Sequence, residues 1–91
     1  MTNRVVDNRA DSRFELTEQG QVAFADYSRR GDSLIIPHVE APIGLRGTGA
    51  AGRLMDGVVA HARAEGVKIV PLCAYAAAWL RRHAEHADLL R

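Results

Sequence analysis

The chain predicts an α+β fold: an antiparallel meander of three strands, a parallel strand–helix–strand unit, and a C-terminal helix. Three features of the 91-residue sequence predict it. From Arg13, Phe14 and Leu16 alternate with Glu15 and Thr17, which is the period of a strand, and two further short apolar runs follow, each set off by a turn. Beyond a glycine-rich stretch, Leu54, Met55, Val58, Val59 and Ala62 recur at helical spacing. A short β-branched run, Val67 to Leu72, then separates that helix from a second one.

Residues 1–11 are polar and show no period, so they read as a flexible N-terminal tail, or as an arm that orders only on a partner. Residues 12–91 read as the folded domain. Its first strand sets Phe14 and Leu16 against Glu15 and Thr17. Glu18-Gln19-Gly20-Gln21 is a turn into a second strand, Val22 to Ser28. Arg30-Gly31-Asp32 turns into the third, Ser33 to Glu40. Pro37 cannot donate to a ladder, so this third strand is expected to bulge or to lie partly at an edge. Gly66 after Ala64-Glu65 reads as a left-handed helix C-cap. Because Ser33 to Leu72 is strand–helix–strand, its two strands are expected to be parallel, with a right-handed crossover. The second helix is expected from about Tyr75 to His83, with Ala76, Trp79, Leu80 and His83 on one stripe and Trp79 as its core anchor. A last turn is expected to pack Leu89 and Leu90 back. Gly57, in the middle of the first helix, implies a close packing contact. His61 is expected to face solvent.

The formal charge of +1 lacks the basic excess of a general nucleic-acid binder. No apolar run approaches the ~20 residues of a membrane span, and Met1-Thr2-Asn3-Arg4 lacks the apolar core of a signal peptide. The single cysteine, Cys73, cannot form an internal disulfide, which suits a reducing cytoplasm. The histidines and one cysteine do not make a zinc pattern, so no metal is expected.

The chemistry concentrates in Leu45-Arg46-Gly47-Thr48-Gly49-Ala50-Ala51. Glycines here let backbone N–H groups point one way. The helix that follows adds the positive end of its dipole. Together they make a seat for a phosphate or pyrophosphate. There is no Gly-Lys-Ser or Gly-Lys-Thr, so this is not a P-loop, and the third glycine of a dinucleotide site is missing.

Taken with their order and spacing, these residues resemble the GNAT superfamily of N-acetyltransferases, in its minimal one-cysteine branch. The resemblance rests on His38-Val39-Glu40-Ala41-Pro42, on Arg-x-x-Gly-x-Ala at Arg46, Gly49 and Ala51, and on Ala62-Arg63-Ala64-Glu65-Gly66. Val70-Pro71-Leu72-Cys73 and His83-Ala84-Glu85-His86-Ala87-Asp88-Leu89 complete it. The chain departs from the family's usual residues at Val39, Ala41, Ala74 and the His83–His86 motif. The resemblance implies a GNAT-like fold and transfer of an acetyl group from acetyl-CoA to an amine of a protein or a small molecule. It also implies an acyl-CoA cleft between two splayed parallel strands. Pantetheine would pair with the strand His38 to Ala41, with Val39 and Glu40 supplying amides to the developing oxyanion. Pyrophosphate would sit on the amides of Arg46, Gly47, Thr48, Gly49, Ala50 and Ala51. The thioester would point toward Cys73.

Alternatives remain at most side chains. Arg46 is a solvated arginine or the charge partner of an anion. Cys73 is a small core residue, a thiolate favoured by the helix N-terminus, or a thiol that protonates or packs against the departing sulfur. His38 is a general base or a satisfied surface histidine. Glu40, on the same strand face, fits either reading. Tyr75 touches the cofactor or packs in the core. Arg81 and Arg82 form a solvated face or meet the ribose phosphate. A chain that kept the fold without a competent proton acceptor would be a non-catalytic acyl-CoA-binding or regulatory module. So small a domain leaves little wall for an acceptor pocket, so a large acceptor or a homodimer could complete the site; a monomer is equally open.

Overall fold

The computed structural model describes residues 3–91. Five strands form one sheet in the order β1-β2-β3-β4-β5. They are β1 (Val6–Asn8), β2 (Arg13–Glu18), β3 (Gln21–Arg30), β4 (Ser33–Glu40) and β5 (Lys68–Pro71). The first four run antiparallel to their neighbours, and β5 lies parallel to β4. Helix α1 (Ala50–Glu65) makes the crossover, and α2 (Ala74–Arg82) follows β5. A 3₁₀ turn, Ile43–Leu45, leads into the glycine loop, and another, Ala84–Leu89, follows α2.

Period-two alternation decides which strand residues are buried. Phe14, Leu16, Ala23, Ala25, Tyr27, Leu34, Ile36 and Ile69 share one sheet face and are closed off from solvent. Against them pack Leu54, Met55, Val58, Val59 and Ala62 of α1, and Ala76, Trp79 and Leu80 of α2, in one cluster. The expected helical stripe of α1 is therefore its core face. Gly66 caps α1 in the left-handed conformation.

Pro37 lies in a bulge. Asp26 pairs with His38 and Ser28 with Ile35, so Tyr27 alone faces both Ile36 and Pro37. The bulge is where a residue without an N–H is tolerated in an inner strand. It also marks where β4 parts from β5. Their pairing runs from Ser33↔Lys68 to Ile36↔Pro71 and ends there. The amides of Leu72 and Cys73 both donate to Ile36 O, each at 3.0 Å, and turn the chain into α2. Beyond Ile36, β4 keeps β3 as a partner on one side and, among the described residues, has none on the other.

The tail expectation needs correction. Met1 and Thr2 lie outside the described residues, but Val6–Asn8 pairs with β2 and Val5 is buried at 3% exposure. Asn3 Nδ2 donates to Gly57 O at 3.0 Å, and His61 Nε2 donates to Val5 O at 2.7 Å. The Val5 side chain fills the space a Cβ on Gly57 would need, which is the packing contact that glycine implied. His61 is thus a strut, its ring tilted against Phe14 with centroids 5.2 Å apart, rather than a solvent-facing residue. The meander has four strands, and the boundary expected after residue 11 falls inside the sheet. At the other end Leu89 is buried as expected, while the Leu90 side chain is 38% exposed. The Leu90 backbone bridges Ile69, and Arg91 N donates to Ile69 O at 2.8 Å, closing the outer edge of β5.

Candidate functional site

The glycine loop is held by its own backbone. Arg46 N donates to Ile43 O and Thr48 N to Leu45 O. The Thr48 hydroxyl donates to Leu45 O at 2.6 Å and accepts from Ala50 N at 3.3 Å. Between these fixed points Gly47 and Gly49 take left-handed φ values of 79° and 87°, where a side chain is strained. The alternation commits the amides of Arg46, Thr48 and Ala50 internally. Among the described residues nothing accepts from the amides of Gly47, Gly49, Ala51 or Gly52. Of the six amides expected to bind, those of Arg46, Thr48 and Ala50 are thus engaged within the loop, while those of Gly47, Gly49 and Ala51 are free, as is that of Gly52 beyond the predicted motif.

These residues edge a cavity of about 290 Å³. Arg46, Gly47, Gly49, Ala50, Ala51 and Gly52 line one side; Ala41, Leu45 and Tyr75 complete it. The first turn of α1 carries no acidic residue, so nothing there opposes an anion at the positive end of the helix. Arg46 lines the cavity but turns its Nε onto Ala41 O at 3.2 Å. Arg53, one turn into α1, is held in a two-point ion pair by Glu18, both contacts at 2.8 Å. Burial pushes the Tyr75 phenol above its ordinary value, so it stays a neutral donor.

The other predicted residues lie outside this cavity. Thr48 supports the loop from behind. Val39 points to the core side of β4 and is partly buried there. His38 and Glu40 project from the opposite face, half exposed, with His38 Nε2 and Glu40 Oε1 3.0 Å apart. Their mutual contact matches the shared strand face read from the sequence. Cys73 caps the N-terminal end of α2 without a side-chain cap bond and packs, partly buried, against the core. It stands where β4 and β5 part, since its amide shares Ile36 O with that of Leu72. Arg81 and Arg82 are exposed. Among the described residues no three His, Cys, Asp or Glu side chains converge on a metal position, and no helix is long and apolar enough to cross a membrane.

The family model described as GCN5-related N-acetyl-transferase matches residues 13–89. The NMR solution structure of a proposed GCN5-like N-acetyltransferase from Staphylococcus aureus superposes with a TM-score of 0.69 at 24% identity. The match covers 100% of this chain and 91% of the other, and at that identity it is a likeness of fold. No protein with curated annotation matches.

Proposed function

The chain belongs to the GCN5-related N-acetyltransferases, and from that premise we propose that it moves an acetyl group from acetyl-CoA to an amine. Members of this family generally use acetyl-CoA as acyl donor. The observation that carries the proposal is the set of four unpartnered amides, at Gly47, Gly49, Ala51 and Gly52, around a cavity at a helix N-terminus. Several N–H groups and a helix dipole aimed at one space suit a diphosphate.

From that seat, the unpaired side of β4 between His38 and Ala41 offers the pantetheine arm a strand to pair with. Tyr75 stands over the same path from α2. The backbone of Val39 and Glu40 stabilises negative charge developing on the thioester oxygen. The amine nitrogen bonds to the acyl carbon as the carbon–sulfur bond breaks. His38, hydrogen-bonded to Glu40, receives the amine proton and passes it to solvent, to which both are open. The sulfur leaves as a thiolate and takes a proton from Tyr75 or Cys73. Transfer is direct, with Cys73 as a packing or proton-donating neighbour of the sulfur. A lone thiol keeps that form in a reducing, cytoplasmic setting.

The test is release of free CoA from acetyl-CoA with a panel of amines, run beside a thermal-shift titration. Release that depends on the amine supports the transferase. A thermal shift without release from any amine favours the non-catalytic acyl-CoA-binding module. That second reading draws on one observation: neither His38, Glu40 nor Cys73 lines the cavity.

A further inference from the structure

Among the described residues Arg29 Nε is the fully buried side-chain nitrogen without a partner, and the indole of Trp79, nearly closed off from solvent, is a second place where burial and polarity do not match. The residue is 3% exposed, yet among the described residues nothing accepts from its Nε1–H. A buried indole N–H ordinarily finds an acceptor. The ring is not free to turn away. It stacks on His83 with centroids 3.8 Å apart, and His83 Nδ1 donates to Trp79 O at 2.7 Å. The indole nitrogen therefore keeps its place, which lies close to Gly52. A Cβ on Gly52 would lie 3.5 Å from Trp79 Nε1 and 4.0 Å from Tyr75 Oη, with no other neighbour within 4 Å. Two donors, one helical turn apart on α2, thus converge on the open point above Gly52 in the first turn of α1. Gly52 and Tyr75 both line the cavity, as does Ala51, whose amide is free like that of Gly52; Trp79 stands behind them, outside the lining.

We infer that Trp79 Nε1–H, with Tyr75 Oη, donates to an oxygen of the coenzyme's diphosphate, and that residue 52 is glycine to keep that point open. The inference rests on the acetyl-CoA reading above and extends the seat from backbone amides to a side-chain clamp on α2. An acceptor lying over Gly52, within reach of both donors, satisfies the indole, and an anionic oxygen is the acceptor that the neighbouring helix N-terminus favours. Trp79 is a binding residue here, with no part in the bond changes.

Two variants test it. Trp79→Phe keeps a buried ring and removes the N–H. Gly52→Ala places a methyl at ordinary contact distance from both donors and suits a helix better than glycine, so its melting temperature should not fall. Affinities are measured by calorimetry for acetyl-CoA and for S-acetylpantetheine, which lacks the diphosphate. Each variant should bind acetyl-CoA about tenfold more weakly, the loss expected for a hydrogen bond to a charged group. Neither should change S-acetylpantetheine binding. Wild-type acetyl-CoA affinity in a folded Gly52→Ala chain overturns the inference, as does an equal loss for S-acetylpantetheine. No acetyl-CoA binding by the wild type would overturn the family-based reading as well, which separates the two failures. The chain's one tryptophan also makes its own fluorescence a second readout. Quenching by acetyl-CoA and none by S-acetylpantetheine supports the contact.

Discussion

The two ends of the proposed cleft are built on different principles. The loop from Leu45 to Gly52 is backbone: its shape is fixed by main-chain bonds and by Thr48, and what it presents is four amides. The end where β4 parts from β5 is side chain: His38 and Glu40 stand half exposed, and Cys73 is held by α2. Backbone donors cannot be deleted by truncating a side chain, so the loop end should tolerate most substitutions and fail only when blocked. At the splayed end the His38 and Glu40 side chains are open to solvent, so substitutions there should act through the side chains themselves.

The largest effect expected is from blocking the loop. Gly49→Asp sets a carboxylate beside the free amides and forces a left-handed backbone on a residue that resists it. Acetyl-CoA binding should vanish in calorimetry, and stability should drop by about 1–3 kcal/mol from the backbone strain. A Cβ there would also crowd Arg53 Nη1 at 2.9 Å, so Arg53 must shift. Gly49→Ala separates the two effects, since it carries the strain without the charge and should retain binding. If Gly49→Asp binds like Gly49→Ala, the loop is not the phosphate seat.

Next in size is the proton acceptor. Glu40→Gln removes the charge beside His38 and leaves the backbone of β4 in place. It should lower kcat about 10- to 100-fold, the lower part of the range for a general base, and leave the acetyl-CoA affinity unchanged. His38→Ala should do at least as much, and the double variant little more, because the pair acts as one unit. Additive losses would mean that the 3.0 Å contact is surface chemistry and the base lies elsewhere.

Much of this was legible in the sequence, and the omissions have a common cause. Strand periods, the bulge at Pro37, the crossover and the glycine loop are local patterns, each set within a few residues. The contacts of the segment that leads into β1 are not local: Asn3 reaches Gly57 and Val5 reaches His61, across more than fifty residues. A three-residue strand carries too little alternation to reveal them. The same holds at the site. The motif was visible from spacing, but which amides stay free depends on the Thr48 side chain and the turn at Ile43. Gly52 gained meaning only when α2 brought Trp79 and Tyr75 over it. His38 and Glu40 were paired correctly because residues two apart share a strand face.

Cys73 is expected to have a smaller effect. Incubation with acetyl-CoA and no amine should leave the intact mass unchanged, and Cys73→Ala should keep most of its turnover. An acetyl adduct that hydroxylamine strips at neutral pH, and that Cys73→Ser cannot form, would instead establish an acyl-cysteine route. The splayed end would then have a nucleophile of its own, and the contrast with the loop would sharpen.

The smallest expected effect links the ends of the comparison through a charge. Arg53 stands beside Gly49, but its cation is matched by Glu18, which Arg4 also contacts at 2.9 Å. The hydrogen bond from Arg53 is the chief cause that holds the Glu18 carboxyl down, from an ordinary 4.5 to about 2. A carboxyl lowered in the folded chain stabilises it above pH 4.5 and loses that contribution as the pH falls from there toward 2. The melting temperature of the wild type should therefore decline across that window, with Asp7, Glu15, Asp32 and Asp88, all lowered, adding to the decline. Glu18→Gln should melt lower at neutral pH and converge with the wild type near pH 2. The same variant frees Arg53 next to the four amides. At low salt and neutral pH it should bind acetyl-CoA more tightly, by about two- to fivefold, an advantage that added salt removes. A destabilised chain that binds its cofactor better would show that Glu18 serves the fold at the expense of the loop. Unchanged affinity at low salt would show that the diphosphate is held by the amides alone, with no share for the neighbouring cation.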